Sequence, residues 1–251
     1  MRIPPLRCRH RSCGNFSAIR APALAGPVVA AAVIFPPNTE IDGIDDSKVL
    51  DEESRVRLDV EIREKALAIG IGLIEVEEID RINIYHAGLR AMQVALQNLP
   101  VTPQHVLVDS RTIPGVAQPQ NSFNKGDGLN FSIASASIVA KVFRDRLMME
   151  LDLAYPAYGF ASHKGYATPE HQNAIREFGP CPIHRRSFDY IRELCGHYSD
   201  LYYQLKARGA QISARPEMTQ WERDITAAAE ALSEMENKKL HLMKNRLWKK
   251  I

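Results

Sequence analysis

Short apolar runs alternate along this chain with longer stretches whose apolar residues recur at helical spacing, and that alternation narrows the possible folds more than any other feature. Val28 to Phe35 follows Gly26-Pro27, contains no polar residue, and fits a strand buried on both faces. Asp51 to Leu67 is charged, with apolar residues at helical spacing, and Ala68 to Ile74 (AIGIGLI) reads as a strand whose glycines permit close backbone approach. Ile84 to Leu99 has a helical period. His105 to Val108 is a short strand that ends in Asp109. Ser132 to Leu153 reads as a long helix whose apolar face includes Ile133, Ala136, Ala140 and Leu147. The order predicts an α/β protein, a mixed sheet flanked by helices. Residues 1–20 show no periodicity and are assigned no element.

Pro156, Gly159 and Gly165 then break the pattern into a loop-rich stretch. Residues 188–208 read as helical, 209–220 (GAQISARPEMTQ) as a linker, and 221–251 as a helical tail ending in the basic cluster KKLHLMKNRLWKK. The expected organisation is an N-terminal segment 1–22, a main domain 23–208, the linker and the tail. A chain of 251 residues has ample material for a core. The net charge of +2 neither requires nor excludes a nucleic-acid partner. The four cysteines, Cys8, Cys13, Cys181 and Cys195, are too few and too irregular for a disulfide framework, which points to a reducing, cytoplasmic setting. CRHRSC at 8–13 offers two Cys and one His without a second ligand group nearby, so it does not read as a zinc site. No apolar run reaches the roughly 20 residues needed to cross a bilayer. Ala21 to Phe35 follows basic residues as a signal peptide would, but Pro22, Gly26 and Pro27 make it a turn feeding a strand.

Eight stretches resemble ribonuclease HII in order and spacing over roughly residues 23–190: LAGPVVAAAVIF at 24–35, IDDSKVL at 44–50, VEEIDRINIYHAGLRAM at 76–92, HVLVDS at 105–110, NKGD at 124–127, SIASASIVAKVFRDRLM at 132–148, YPAYGFASHKGYATPEH at 155–171 and FGPCPIHRRSF at 178–188. The resemblance implies a ribonuclease H-like mixed sheet with a helical C-terminal part. It implies a monomeric endonuclease that hydrolyses the RNA strand of RNA–DNA hybrids and cuts at ribonucleotides embedded in duplex DNA. Cleavage at the 5′ side of the ribonucleotide would leave 3′-hydroxyl and 5′-phosphate ends, assisted by Mn²⁺ or Mg²⁺. Hard divalent cations take oxygen ligands, which is why such chemistry uses clustered carboxylates.

Carried over by motif, Asp109 and Asp127 are the catalytic, metal-holding carboxylates. On residues alone, the better reading is a turn cap for Asp109 and a loop acid beside glycine for Asp127, and the resemblance reverses both. Asp145 is a weaker candidate, because Arg144 and Arg146 flank it on a helix and suggest a structural ion pair. Tyr166 matches the tyrosine that in the family stacks on the sugar at the RNA–DNA junction. Lys164, His163, His184, Arg185 and Arg186 are the basic residues around it, expected to contact phosphates.

The first motif of the family departs here. It is an Asp-Glu pair, one residue, then Gly-Arg-Gly before LAGP. Ungapped alignment places Ser17 and Ala18 at the acidic pair and Arg20, Ala21 and Pro22 at Gly-Arg-Gly, and no acidic residue precedes Glu40. Pro22 has no N–H to donate and fixes φ where glycine would be free. Two origins fit the abrupt change near Ala23: an upstream stretch read in the wrong frame or from a wrong start, or a degenerate, inactive family member. A catalytically inactive hybrid-binding protein is therefore the alternative to an enzyme.

Overall fold

The computed structural model describes residues 13–19, 23–124, 126–128, 130–196 and 198–250, excluding the side chains of 13–19 and of Asp127. CRHRSC, apart from the backbone of Cys13, and Arg20, Ala21 and Pro22 lie outside the described residues. The five strands are β1 (Cys13–Ile19), β2 (Val28–Ile34), β3 (Ala68–Ile74), β4 (His105–Asp109) and β5 (Gln120–Phe123), in the sheet order β3-β2-β1-β4-β5. β1 pairs antiparallel with β2 and parallel with β4. β2–β3 is antiparallel and β4–β5 parallel, so the sheet is mixed as expected.

β1 is the correction. A segment without sequence periodicity occupies the middle of the sheet. CGNFSAI lacks a β-branched run, and its strand state comes from ladders on both sides rather than from local propensity.

β2 is buried along its whole length, and its alternation divides the core. Val28, Ala30 and Ala32 face α2 (Val76–Gln97), while Val29, Ala31 and Val33 face α1 (Glu52–Lys65) and α3 (Phe131–Ala154). On β3 the glycines do what their spacing suggests: a Cβ at Gly70 or Gly72 would lie 2.1 or 2.0 Å from the carbonyl oxygens of Ala95 or Ala91 on α2. The helix that the period places at Ile84 begins earlier, at Val76, because two helical segments join at Asn83. Asn83 sits at φ 67° with its side chain accepting from the Tyr85 and His86 N–H groups, so the second segment starts where the period does.

Smaller helices follow α3: α4 (Phe160–His163), α5 (Pro169–Phe178) and α6 (Asp189–Leu194). The chain divides into two compact units, Met1–Ile191 and Arg192–Ile251. The second holds α7 (Asp200–Ala210), α8 (Arg215–Ala227) and α9 (Glu234–Trp248). Its division from the first falls before the boundary expected at 208, and the expected linker is mostly helix. Gly209, which reads as a linker residue, instead lets the Trp221 ring pack on α7: a Cβ there would lie 2.5 Å from the indole. The indole N–H donates to the Leu205 carbonyl at 2.7 Å. Tyr202, Leu205, Met218, Trp221, Ile225 and Leu240 form this unit's core. Burial pushes the Glu236 carboxyl up, but hydrogen bonds from Ser199 and Ser233 outweigh it and hold the group down at about 2.

Candidate functional site

Asp109 is the last residue of β4, half-buried, where two parallel ladders end. In parallel sheets such carboxyl ends are where chemistry is placed. Its Oδ1 accepts from the Gly126 N–H at 2.9 Å and from the Ser110 hydroxyl at 3.3 Å. The first bond ties the turn Gly126–Gly128 to the strand end, so the backbone of position 127 follows directly on the residue that Asp109 holds. The carboxylate is thus also a turn acceptor. The Asp127 side chain lies outside the described residues.

In the neighbouring strand, Phe16 is paired with Val108, so the next position, Ser17, lies beside Asp109. Ser17 and Ala18 pair on their other side with Ala31 and Ala30 of β2. Positions 17 and 18, onto which the resemblance would map an acidic pair, are therefore in the strand next to Asp109. Among the described residues, no group of three or more His, Cys, Asp or Glu could hold a metal ion. Asp109 offers one carboxylate of the kind hard divalent ions take; by sequence, positions 17 and 18 are Ser and Ala, which add no charged oxygen, and ligand charge sets the affinity for such ions.

Two basic residues are committed to the backbone rather than to the surface. Arg185, grouped by sequence with the phosphate contacts, is fully buried; its guanidinium donates to the Gly26 and Pro27 carbonyls at 2.9 and 3.3 Å. Arg144, on α3, is equally buried and donates to the carbonyls of Pro27, Lys164 and Ala25 at 3.3, 3.0 and 3.1 Å. Burial lowers the pKa of both, that of Arg185 to about 9 with the neighbouring Arg144 adding to the effect. Together with the pairings Ala23–Tyr166 and Ala25–His184 they lock residues 23–27 to the segments that carry Tyr166 and Arg185. By sequence, Arg144 is only a flanking cation. The turn Gly26-Pro27, whose carbonyls no helix or strand fully absorbs, is the signal that something must donate to it.

Tyr166 is half-buried, with Lys141 Nζ 5.3 Å and the Arg144 guanidinium 5.9 Å from its ring centroid. Asp145 is buried and pairs with Lys141 at 2.7 Å. Its partner is one helical turn back, not Arg144 or Arg146 beside it, and Arg146 instead lies 3.7 Å from Asp59. Of the other basic residues, Arg186 is exposed and Lys164 half-buried, with its ammonium donating to the Ala161 carbonyl. His163 and His184 are buried. The Asp80 carboxylate fixes the backbone of Arg186 and Ser187, accepting from each N–H at 2.9 Å.

His163 and His184 form a cluster with His171, a residue that the motifs contain but that no sequence signal singles out. Burial, against hydrogen bonding to the Tyr166 carbonyl, holds His171 down at about 4; burial and the neighbouring His171 do the same for His184. In the unfolded chain both would take up a proton near pH 6.5. Between these values the unfolded state binds more protons, so stability rises with pH across the window. It is complete above about pH 6.5 and is lost as the pH falls toward about 4. The urea midpoint is expected to be lower at pH 5.5 than at pH 7.5, and equal midpoints would contradict the neutral cluster.

The described fold defines a ribonuclease H-like α/β protein. It superposes on the crystal structure of the ribonuclease H2 from Pyrococcus horikoshii OT3 with a TM-score of 0.63 at 22% identity, covering 74% of this chain and 98% of that one. It also matches the crystal structure of Bst-RNase HIII in complex with Mn²⁺ at a TM-score of 0.56 and 16% identity, over 74% of this chain and 70% of that one. The family model for ribonuclease HII matches residues 22–191. Ribonuclease HII of Myxococcus xanthus (strain DK1622) is 56% identical over 174 residues, 69% of this chain. The chain spans 59% of that relative's length. This chain belongs to the ribonuclease HII family. The match begins just before LAGP, after positions 17 and 18.

Proposed function

We propose that this chain is built to act on RNA–DNA hybrids and on duplex DNA with embedded ribonucleotides, and that as written it binds them without cutting. Asp109 carries the reading: a half-buried carboxylate at a parallel strand end, tied to the turn that bears Asp127, with Ser17 beside it in the sheet. In a complete site Mn²⁺ or Mg²⁺ would orient the attacking water and stabilise charge on the leaving oxygen, giving 3′-hydroxyl and 5′-phosphate ends. Asp109 and Asp127 are the residues that would hold the ion. With Ser17 and Ala18 in place, no hydrolytic step is assigned to this chain. Tyr166 would face the ribose, and Arg186 and Lys164 would meet phosphate. The protein acts as a monomer in a cytoplasmic setting in this reading.

The second unit adds grip. Lys238, Arg246, Lys249 and Lys250 are exposed on and just after α9, whereas Lys244 is held by Glu222 at 2.9 Å. Trp221 belongs to that unit's core, so cutting the chain at 221 would test folding rather than binding. Neutralising the four exposed cations to glutamine in the full chain is the cleaner experiment. The variant is expected to bind hybrid more weakly, with a salt slope shallower by about 0.9 for each phosphate that is no longer neutralised. Unchanged affinity and slope would reduce the tail to a solvated helix end. Hybrid binding by the unaltered chain tests the reading itself, and indistinguishable, negligible affinity for hybrid and all-DNA duplex would remove it.

A further inference from the structure

Tyr166 is a half-buried tyrosine on a short loop, and such a residue faces a substrate reproducibly only if its backbone is fixed. The fixing groups lie beneath it. The His171 and His184 side chains are buried, their Nε2 atoms 3.0 Å apart, and the His163 ring stacks on that of His171 at 4.3 Å. Tyr158 and Phe160 pack against the His184 ring.

Donor and acceptor roles in this series follow from its two ends. The Tyr166 carbonyl can only accept, and His171 Nδ1 lies 2.8 Å from it, so Nδ1 carries the proton. Nε2 of a neutral His171 is then an acceptor, and His184 Nε2 must donate to it. That leaves His184 Nδ1 without a proton. The other end agrees: the Cys181 N–H donates to His184 Nδ1 at 2.9 Å, closer than the Cys181 carbonyl at 3.3 Å, with the thiol 3.1 Å away. The series then runs from Cys181 through His184 and His171 to the Tyr166 carbonyl. His163 is fixed separately, with Nε2 on the Tyr158 carbonyl at 2.7 Å and Nδ1 accepting from the Gly165 N–H at 3.2 Å.

We propose that His171, held in its Nδ1–H tautomer by His184 and Cys181, is a positioning residue that fixes the Tyr166 carbonyl and thereby presents the Tyr166 ring to the sugar of a bound ribonucleotide. The statement about the sugar rests on the function proposed above; the positioning does not. Burial keeps both imidazoles neutral at ordinary pH, so the series has one state there. The charged and titratable groups that bear on it are His163, Cys181 and Arg186.

Imidazole ¹⁵N spectra of the full chain at pH 7 test the tautomers directly. His171 is expected as Nδ1–H and His184 as Nε2–H, and the opposite tautomer at either residue overturns the proposal. Four variants test the consequence. His171→Leu keeps the volume and removes the donor, so the Tyr166 resonances should shift and hybrid affinity fall about five- to tenfold, the worth of one hydrogen bond. His171→Asn keeps an N–H near the position of Nδ1 and should restore most of both. Tyr166→Ala should weaken binding by a similar factor, and adding His171→Leu to it should cost little more. If Tyr166→Ala binds normally while His171→Leu still moves the Tyr166 resonances, the sugar-facing role fails and the positioning stands. If neither the resonances nor the affinity respond to His171→Leu, the positioning fails.

Discussion

Incubated with a DNA duplex carrying one ribonucleotide in the presence of Mn²⁺, the chain as written is expected to leave the substrate intact. Its counterpart with S17D, A18E, R20G, A21R and P22G should cut it in a metal-dependent way. The sheet register gives the reason. Ser17 follows the Phe16–Val108 pair and so stands beside Asp109, and Ala18 is the next residue in the same strand. Restoring acids there brings charged oxygen ligands to the strand-end carboxylate, while glycines at 20 and 22 free a backbone that Pro22 constrains. Metal stabilisation of a phosphoryl transition state is worth several kcal/mol and each 1.4 kcal/mol is tenfold in rate, so the two proteins should differ by at least about a thousandfold. Equal turnover would mean that another group supplies what the acidic pair supplies in the family.

Within that restored protein, Asp109→Asn should return the rate to the level of the unaltered chain while leaving hybrid binding nearly unchanged. Asparagine retains the oxygen that accepts from the Gly126 N–H, so the turn carrying Asp127 stays tied to β4. It is also close enough in shape to keep the Ser110 hydrogen bond. What it removes is the charge, and with it much of the attraction for a divalent cation. This separates the turn hydrogen bond that the structure shows from the metal-holding role proposed for the same carboxylate. A drop in thermal stability accompanied by weaker binding would show that the turn hydrogen bond dominates. Near-normal cleavage by the Asn variant would show that Asp109 holds no metal.

Much of the frame is legible because its signals are local. VVAAAVIF is apolar on both strand faces, and β2 is buried on both. The glycines of AIGIGLI stand where α2 leaves no room for a Cβ, and the helical period of residues 132–153 is the period of α3. β1 is not legible, because CGNFSAI has no β-branched or periodic run and its state is imposed by β2 and β4. The linker expected at 209–220 fails for a related reason: Gly209 has the look of chain punctuation, and its purpose is to admit the Trp221 ring. At the site, the strand-end aspartate can be found by pattern, but the direction of a basic side chain cannot. Arg185 and Arg186 are adjacent in sequence; one is buried on the carbonyls of Gly26 and Pro27 and the other is exposed. His171 is hidden because its partners, His184 and the Tyr166 carbonyl, come together only in the fold.

Binding of Mn²⁺, followed by the loss of its free-ion electron paramagnetic resonance signal, tests the central claim without relying on turnover. The claim is that positions 17 and 18 are the missing part of a carboxylate site whose remaining described member is Asp109. The S17D/A18E protein should bind the ion at least about tenfold more tightly than the chain as written, since ligand number and charge set such affinities. Adding Asp109→Asn should abolish that gain. Equal affinities for the unaltered and S17D/A18E proteins, or a gain that persists in the Asp109→Asn background, would contradict it.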